Sequence, residues 1–149
     1  MDNELPEIRF KAIGVVRNEI KKRGRHDTGG IVSEIVIDPA LTEALDNLDE
    51  FSHIIVIYFI HQSHRPAPMK VHPRYSKEIT PVGVFASRSP DRPNPLGKTT
   101  VKLLERRDNV LKVQGLDAID GTPVIDIKPY IPGLDSVDDA RVPRWMTRS

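Results

Sequence analysis

Ile54-Ile-Val-Ile-Tyr-Phe-Ile60 is the stretch whose reading decides the fold. A β-strand sends successive side chains to opposite faces, so this one is apolar on both and belongs at the centre of a sheet or barrel. On its N-terminal side, Phe10 to Val16 and Ile31 to Ile37 are β-branched runs that predict two further strands. Asp38-Pro39 supplies an N-cap with proline in the first helical position, and Leu41, Leu45 and Leu48 then predict a short amphipathic helix ending before Phe51. On the C-terminal side, residues 62–82 carry four prolines and predict a long loop. Strands are predicted over Val82–Ser87, Val101–Arg107, Val110–Ile119 and Pro123–Tyr130, with turns at Asp108-Asn109 and a hairpin at Asp120-Gly121. About seven strands and one short helix, mostly joined by hairpins, favour an all-β antiparallel barrel or sandwich over alternating βαβ units. There is no Gly-x-Gly-x-x-Gly or Walker-type loop, which disfavours a Rossmann-type nucleotide fold.

The 149 residues are expected to form one domain, with no C-terminal accessory domain. With no cysteine there are no disulfides and no thiolate metal site, which fits a cytoplasmic location. The charged start from Asp2 argues against a signal peptide, and the longest apolar run is too short to cross a membrane. Net charge is only +1 but uneven: Arg17–Arg25 carries five basic residues against Glu19, and His61–Lys98 seven against Glu78 and Asp91. Positive charge clustered on a near-neutral chain is the footprint of a polyanion-binding face.

Two segments are dense in chemistry. Phe85-Ala-Ser-Arg-Ser-Pro-Asp-Arg-Pro-Asn-Pro-Leu-Gly97 is a loop stiffened by three prolines, from which Arg88, Arg92 and Asn94 project. Guanidinium forks suit carboxylate or phosphate. In Asp117-Ala-Ile-Asp-Gly-Thr-Pro-Val-Ile-Asp-Ile-Lys-Pro-Tyr130, residues Asp126, Lys128 and Tyr130 have period two and share a strand face. That face either meets solvent or lines a site. His61-Gln62 ends the most apolar strand. The spacing of His61, His64 and His72 matches no established metal-ligand pattern, so no metal is expected.

Four motifs in order carry a resemblance: Ile13-Gly-Val-Val-Arg17; Phe51-Ser-His-Ile54 with His61-Gln62; Gly83 to Gly97; and Leu116 to Tyr130. Over about residues 8–132 the chain resembles the TsaA-like domain of the TrmO/YaeB tRNA methyltransferases. The resemblance implies a homodimeric β-barrel that binds S-adenosylmethionine and N6-methylates the threonylcarbamoyl-adenosine next to a tRNA anticodon. Carried over by motif, the cofactor contacts are His61, Gln62, Arg88, Lys98, Asp117, Ala118, Ile119 and Asp120. Asp126, Lys128 and Tyr130 adjoin the transfer site, with Asp126 or Tyr130 as proton acceptor. Arg74, Arg92 and Asn94 are the expected RNA contacts, through the phosphates of an anticodon stem-loop. Many members carry Ser-Pro-aromatic after the first strand, where this chain reads Asn18-Glu19-Ile20 and then Lys-Lys-Arg-Gly-Arg-His-Asp, so no N-terminal cofactor contacts are carried over. The alternatives are methyl transfer to another RNA or a small molecule, and a non-catalytic RNA-binding module.

Overall fold

The computed structural model describes residues 4–24, 26–73 and 76–147. Among the described residues eight strands run in chain order: β1 Gly14–Arg17, β2 Val32–Ile37, β3 His53–Phe59, β4 Lys70–Val71, β5 Val82–Gly83, β6 Leu96–Arg107, β7 Val110–Gln114 and β8 Pro123–Pro129. Six close into a barrel in the order β1-β2-β7-β6-β3-β8, with β8 returning to β1; β4 and β5 form a separate two-stranded ribbon. All pairings are antiparallel.

β3 holds the central place its composition predicts, paired along its length with β6 on one side and β8 on the other. Ile54, Val56 and Tyr58 point into the barrel, where they join Val16, Ile35, Ile37, Val101, Leu103, Leu111, Val113, Leu116 and Val124 in one core. Ile55, on the opposite face, is buried as well. Each such aliphatic side chain contributes about 1.5–3 kcal/mol by leaving water. Two bulges shape the closure. A register shift in β6 between Leu103 and Glu105 lets one long strand serve β3 with its first half and β7 with its second. A second shift opposite Ile57/Tyr58 puts both Val124 and Ile127 of β8 against the core.

Several element boundaries differ from the sequence expectations, each for a local reason. β1 begins at Gly14, not Phe10, because pairing with β8 starts only at Ile13, whose N–H reaches the Val124 carbonyl at 2.8 Å; Phe10 is exposed. The helix after Asp38 is a 3₁₀ helix, Pro39–Leu45, capped by the Asp38 carboxylate on the Ala40 N–H. Leu45 is buried, Leu41 is exposed, and Leu48 packs against the core from a second 3₁₀ turn, Leu48–Glu50. Val82–Ser87 is strand only at Val82–Gly83, since β4 offers just two partners and a 3₁₀ turn follows at Val84–Ala86. β6 starts at Leu96, five residues before the expected Val101. β7 stops at Gln114, where Gly115 takes a φ of +95° that a side chain would resist. Asp120-Gly121 is a turn but not a hairpin. Its flanking strands β7 and β8 are not neighbours, and the turn docks on β1 through Gly121 N–H to the Val16 carbonyl at 2.8 Å.

Gly97 faces Tyr58 across the β3–β6 ladder, and a Cβ there would overlap the tyrosine ring itself. Gly97→Ala is expected to destabilise the fold by about 1–3 kcal/mol, lowering Tm by several degrees. Differential scanning calorimetry of the variant checks this; an unchanged Tm would contradict the packing described.

Candidate functional site

The strand directions gather the ends of β1, β3 and β7 and the starts of β2, β6 and β8 at one rim of the barrel. The connecting loops meet there around a cleft of about 1350 Å³. One wall is the 20–28 loop, with Ile20, Arg23, Gly24, His26 and Thr28. A second is Ile60, His61, Gln62 and His64; a third is Arg88, Pro90, Arg92 and Asn94; a fourth is Asp117, Ala118, Ile119 and Thr122. Tyr58 and Gly97 floor it, and Leu96 and Lys98 edge it.

Tyr58 ties this floor to the fourth wall. Its hydroxyl lies 2.9 Å from Thr99 Oγ1 and donates to the Asp117 carbonyl at 2.7 Å. Burial pushes its phenol above the ordinary value; the Thr99 hydrogen bond opposes this, the Asp117 charge adds to it, and the Arg88 charge opposes it. Tyr58 is therefore a neutral donor sitting within reach of one carboxylate and one guanidinium. Both those side chains are exposed and, among the described residues, neither makes an ion pair.

Asn18 fixes the rest of the 117–120 run. Its Nδ2 donates to the Ala118 carbonyl at 2.8 Å and to Ser33 Oγ at 3.0 Å. Its Oδ1 accepts the Ile20 N–H at 3.0 Å, turning the chain into the cleft wall. Thr122 Oγ1 donates to the Ile119 carbonyl at 2.7 Å.

Of the cofactor contacts expected from sequence, His61, Gln62, Arg88, Lys98, Asp117, Ala118 and Ile119 all line this cleft. Asp120 does not. Its carboxylate accepts the Asn18 N–H at 3.0 Å and pairs with Lys21 Nζ at 2.9 Å. The Lys21 and Asn18 hydrogen bonds hold that carboxyl below the usual range. Asp126, Lys128 and Tyr130 share a face as their spacing predicts, but it is the outer face of β8, outside the cleft lining. Lys128 Nζ lies 3.0 Å from Asp126 Oδ2, and Tyr130 meets the His53 ring edge-on at 6.4 Å between centroids. Ile57 pairs with Lys98 on one side and Asp126 on the other, so Asp126 stands two strands, about 10 Å, from the cleft edge. Asn94 and Arg92 line the cleft, but Arg92 Nη1 is spent on the Ser87 and Ser89 carbonyls of its own loop at 3.0 and 3.2 Å. Arg74 lies outside the described residues, as does Arg25 of the N-terminal basic stretch.

Residues not assigned to the cleft from sequence complete it: Tyr58 and Asn18, with Ile20, Arg23, Gly24, His26 and Thr28. Tyr58 hides inside an apolar run, and only Gly97, 39 positions away in the chain, reveals that its ring needs room.

Compared with known proteins, residues 18–136 match the family model described as the tRNA-methyltransferase O N-terminal domain. The chain is 43% identical over 139 residues to a probable S-adenosyl-L-methionine-binding protein of Archaeoglobus fulgidus, a match spanning 91% of this chain and 37% of that one. It is 34% identical over 149 residues to the tRNA (adenine(37)-N6)-methyltransferase of Escherichia coli K12, spanning 91% and 63%. The crystal structure of TrmO from Pseudomonas aeruginosa matches with a TM-score of 0.76 at 29% identity, covering 97% of this chain and 64% of that one. The chain thus spans less than two thirds of each of these three. It spans 23% of the mouse tRNA (adenine(37)-N6)-methyltransferase and 96% of a probable S-adenosyl-L-methionine-binding protein of Methanothermobacter thermautotrophicus.

Tyr58→Phe is expected to cost about 1 kcal/mol in stability by leaving the Asp117 carbonyl unpaired. Because the phenol is raised, the stability it brings is full below the ordinary tyrosine pKa and fades as pH climbs towards the raised value. In an ultraviolet pH titration the step missing from Tyr58→Phe should therefore lie above the ordinary tyrosine range. Loss of a step at or below the ordinary tyrosine range would contradict the burial of this hydroxyl.

Proposed function

Because this chain belongs to the tRNA-methyltransferase O N-terminal domain family, we propose that its cleft binds S-adenosylmethionine and delivers the methyl group to N6 of an adenine beside the tRNA anticodon. The substrate form is the threonylcarbamoyl-adenosine immediately 3′ to it. The observation that carries the reading is the pair of open charges, Arg88 and Asp117, on two walls of the cleft and both acting on the Tyr58 phenol. An amino-acid end with one carboxylate and one ammonium is the ligand chemistry that such a pair fits.

Arg88 takes the carboxylate and Asp117 the ammonium. His61, Gln62 and Lys98 border the same volume, while Ala118 and Ile119 give a partly apolar ledge suited to a flat ring. Asp120 serves at one remove, holding Asn18 and Lys21 behind that ledge. The group bound there supplies an electrophilic methyl on a sulfonium and is left as a thioether. Fixing both ends of the ligand orients that methyl, and orientation can supply much of the rate of an in-line transfer. The attacking N6 must lose its proton. An acylated N6 is more acidic than a free exocyclic amine, so a weak base suffices. Asp126 or Tyr130 accepts that proton from an adenine that extends past the Lys98 edge of the cleft onto the outer face of β8, with Lys128 steadying Asp126. Asn94, Arg92 and Arg74 lie in the basic stretch that meets the anticodon stem-loop, through its phosphates.

The working unit is a homodimer. Leu5, Ile8 and Phe10 in the N-terminal arm and Leu134, Val137 and Val142 in the C-terminal arm stay largely exposed in the single chain. Apolar surface on this scale is what a second copy covers. The protein is placed in the cytoplasm, where tRNA is found.

Isothermal titration of the protein with S-adenosylmethionine is expected to show one site per chain. Arg88→Ala should weaken it by about tenfold or more, the loss of one charge-assisted contact. No heat at millimolar ligand would reject the cofactor assignment. Tyr130→Phe should spare that binding and slow transfer, read by mass spectrometry of nucleosides from tRNA incubated with protein and cofactor. Unmodified threonylcarbamoyl-adenosine after incubation with the wild-type protein would reject the substrate assignment.

A further inference from the structure

Three of the four walls of the cleft converge on one carboxylate that does not itself face the proposed ligand. Arg23 of the N-terminal loop grips Asp91 with both nitrogens, Nη1 to Oδ1 at 2.9 Å and Nη2 to Oδ2 at 3.1 Å. The same Nη1 donates to the Gln62 carbonyl at 2.9 Å. The His64 N–H donates to Asp91 Oδ1 at 2.6 Å, and His64 Nδ1 lies 3.5 Å from Oδ2. Asp91 is itself held in place by its N–H to Ser89 Oγ at 3.2 Å. The Arg23 and Asp91 side chains are only 25% and 20% exposed, so water competes weakly for this pair. A second tie, Arg65 Nη1 to the Pro93 carbonyl at 3.1 Å, joins the same two walls without involving the N-terminal loop.

We propose that Asp91 is a positioning residue whose ion pair with Arg23 latches the N-terminal loop across the cleft and so sets the Gln62 backbone for ligand binding. The geometry argues for a latch over an incidental surface pair. A bidentate guanidinium–carboxylate pair fixes direction as well as distance. Here it links segments 68 residues apart. Elsewhere the Ile20–Gly24 stretch is tied to Asn18 and Asp120, on another wall, and to His26 of its own loop. Losing Asp91 leaves Arg23 its bond to the Gln62 carbonyl and removes the bidentate grip that fixes the direction of the guanidinium. Burial works against ionisation of Asp91, yet the Arg23 and His64 hydrogen bonds and charges outweigh it and hold the carboxyl below its ordinary value. The latch is therefore charged at neutral pH.

The inference rests on the cofactor reading above, and its test separates the two. Asp91→Asn keeps the shape and removes the charge. In the ligand-free variant, hydrogen exchange should quicken at residues 18–24 and 61–64 while core amides such as Val56 and Leu111 keep their wild-type protection. S-adenosylmethionine affinity should fall by about tenfold. Arg23→Ala should do the same, and the double variant no worse than either single one, because one interaction is lost once. The charge-exchanged pair Arg23→Asp with Asp91→Arg should recover part of the affinity, which a merely structural defect would not. Unchanged loop exchange in Asp91→Asn would overturn the latch. Faster loop exchange with wild-type affinity would overturn its positioning role. If the wild-type protein itself binds no S-adenosylmethionine, the cofactor reading and the positioning role fall together, while loop exchange still reports whether the latch exists.

Discussion

Tyr58 is where the core of this barrel becomes its cleft. The ring is packed among core aliphatics, yet the hydroxyl at its tip reaches the Asp117 carbonyl and the space between two open charges. That arrangement depends on Gly97, because any side chain there would occupy the ring's volume. A cleft built this way inherits the rigidity of the sheet: its floor cannot shift without disturbing β3 and β6, each bonded to neighbours on both sides. Rigid floors matter for group transfer, where small misplacements cost large factors in rate.

The walls are secured differently. They are loops, held by side chain to backbone bonds from Asn18, Thr122 and Arg92 and by the Arg23–Asp91 pair. Loops held at a few polar points leave their remaining groups to face a ligand, which is how a fixed scaffold carries a variable site. The division also explains why Asp120 and Asp91 are absent from the ligand surface although both are charged and close by. Each spends its carboxylate on the frame.

Much of this was legible in the chain. The apolar-on-both-faces run at 54–60 placed β3 correctly between two neighbours, and the Asp108-Asn109 turn joined β6 to β7 as read. The motifs at His61-Gln62, Arg88 and Asp117–Ile119 converge on one cleft. What escaped the sequence was long-range. Asp120-Gly121 has the local chemistry of a hairpin, but which strands flank it in space is settled by β1, a hundred residues earlier, accepting the turn. The 18–28 segment shows basic charge and glycine and nothing that names its partner; only folding brings Arg23 to Asp91. Period two grouped Asp126, Lys128 and Tyr130 correctly, but periodicity does not say which face of a barrel wall looks towards the site.

The proposed ligand is a zwitterion held between Arg88 and Asp117 above Tyr58. A crystal structure of the protein with S-adenosylhomocysteine, the demethylated cofactor, tests it most directly. The expected result is the ligand in the barrel-end cleft, its carboxylate at Arg88, its ammonium at Asp117 and its ring along Ala118–Ile119. A ligand bound elsewhere on the chain, or in the cleft with Arg88 and Asp117 both untouched, would contradict it.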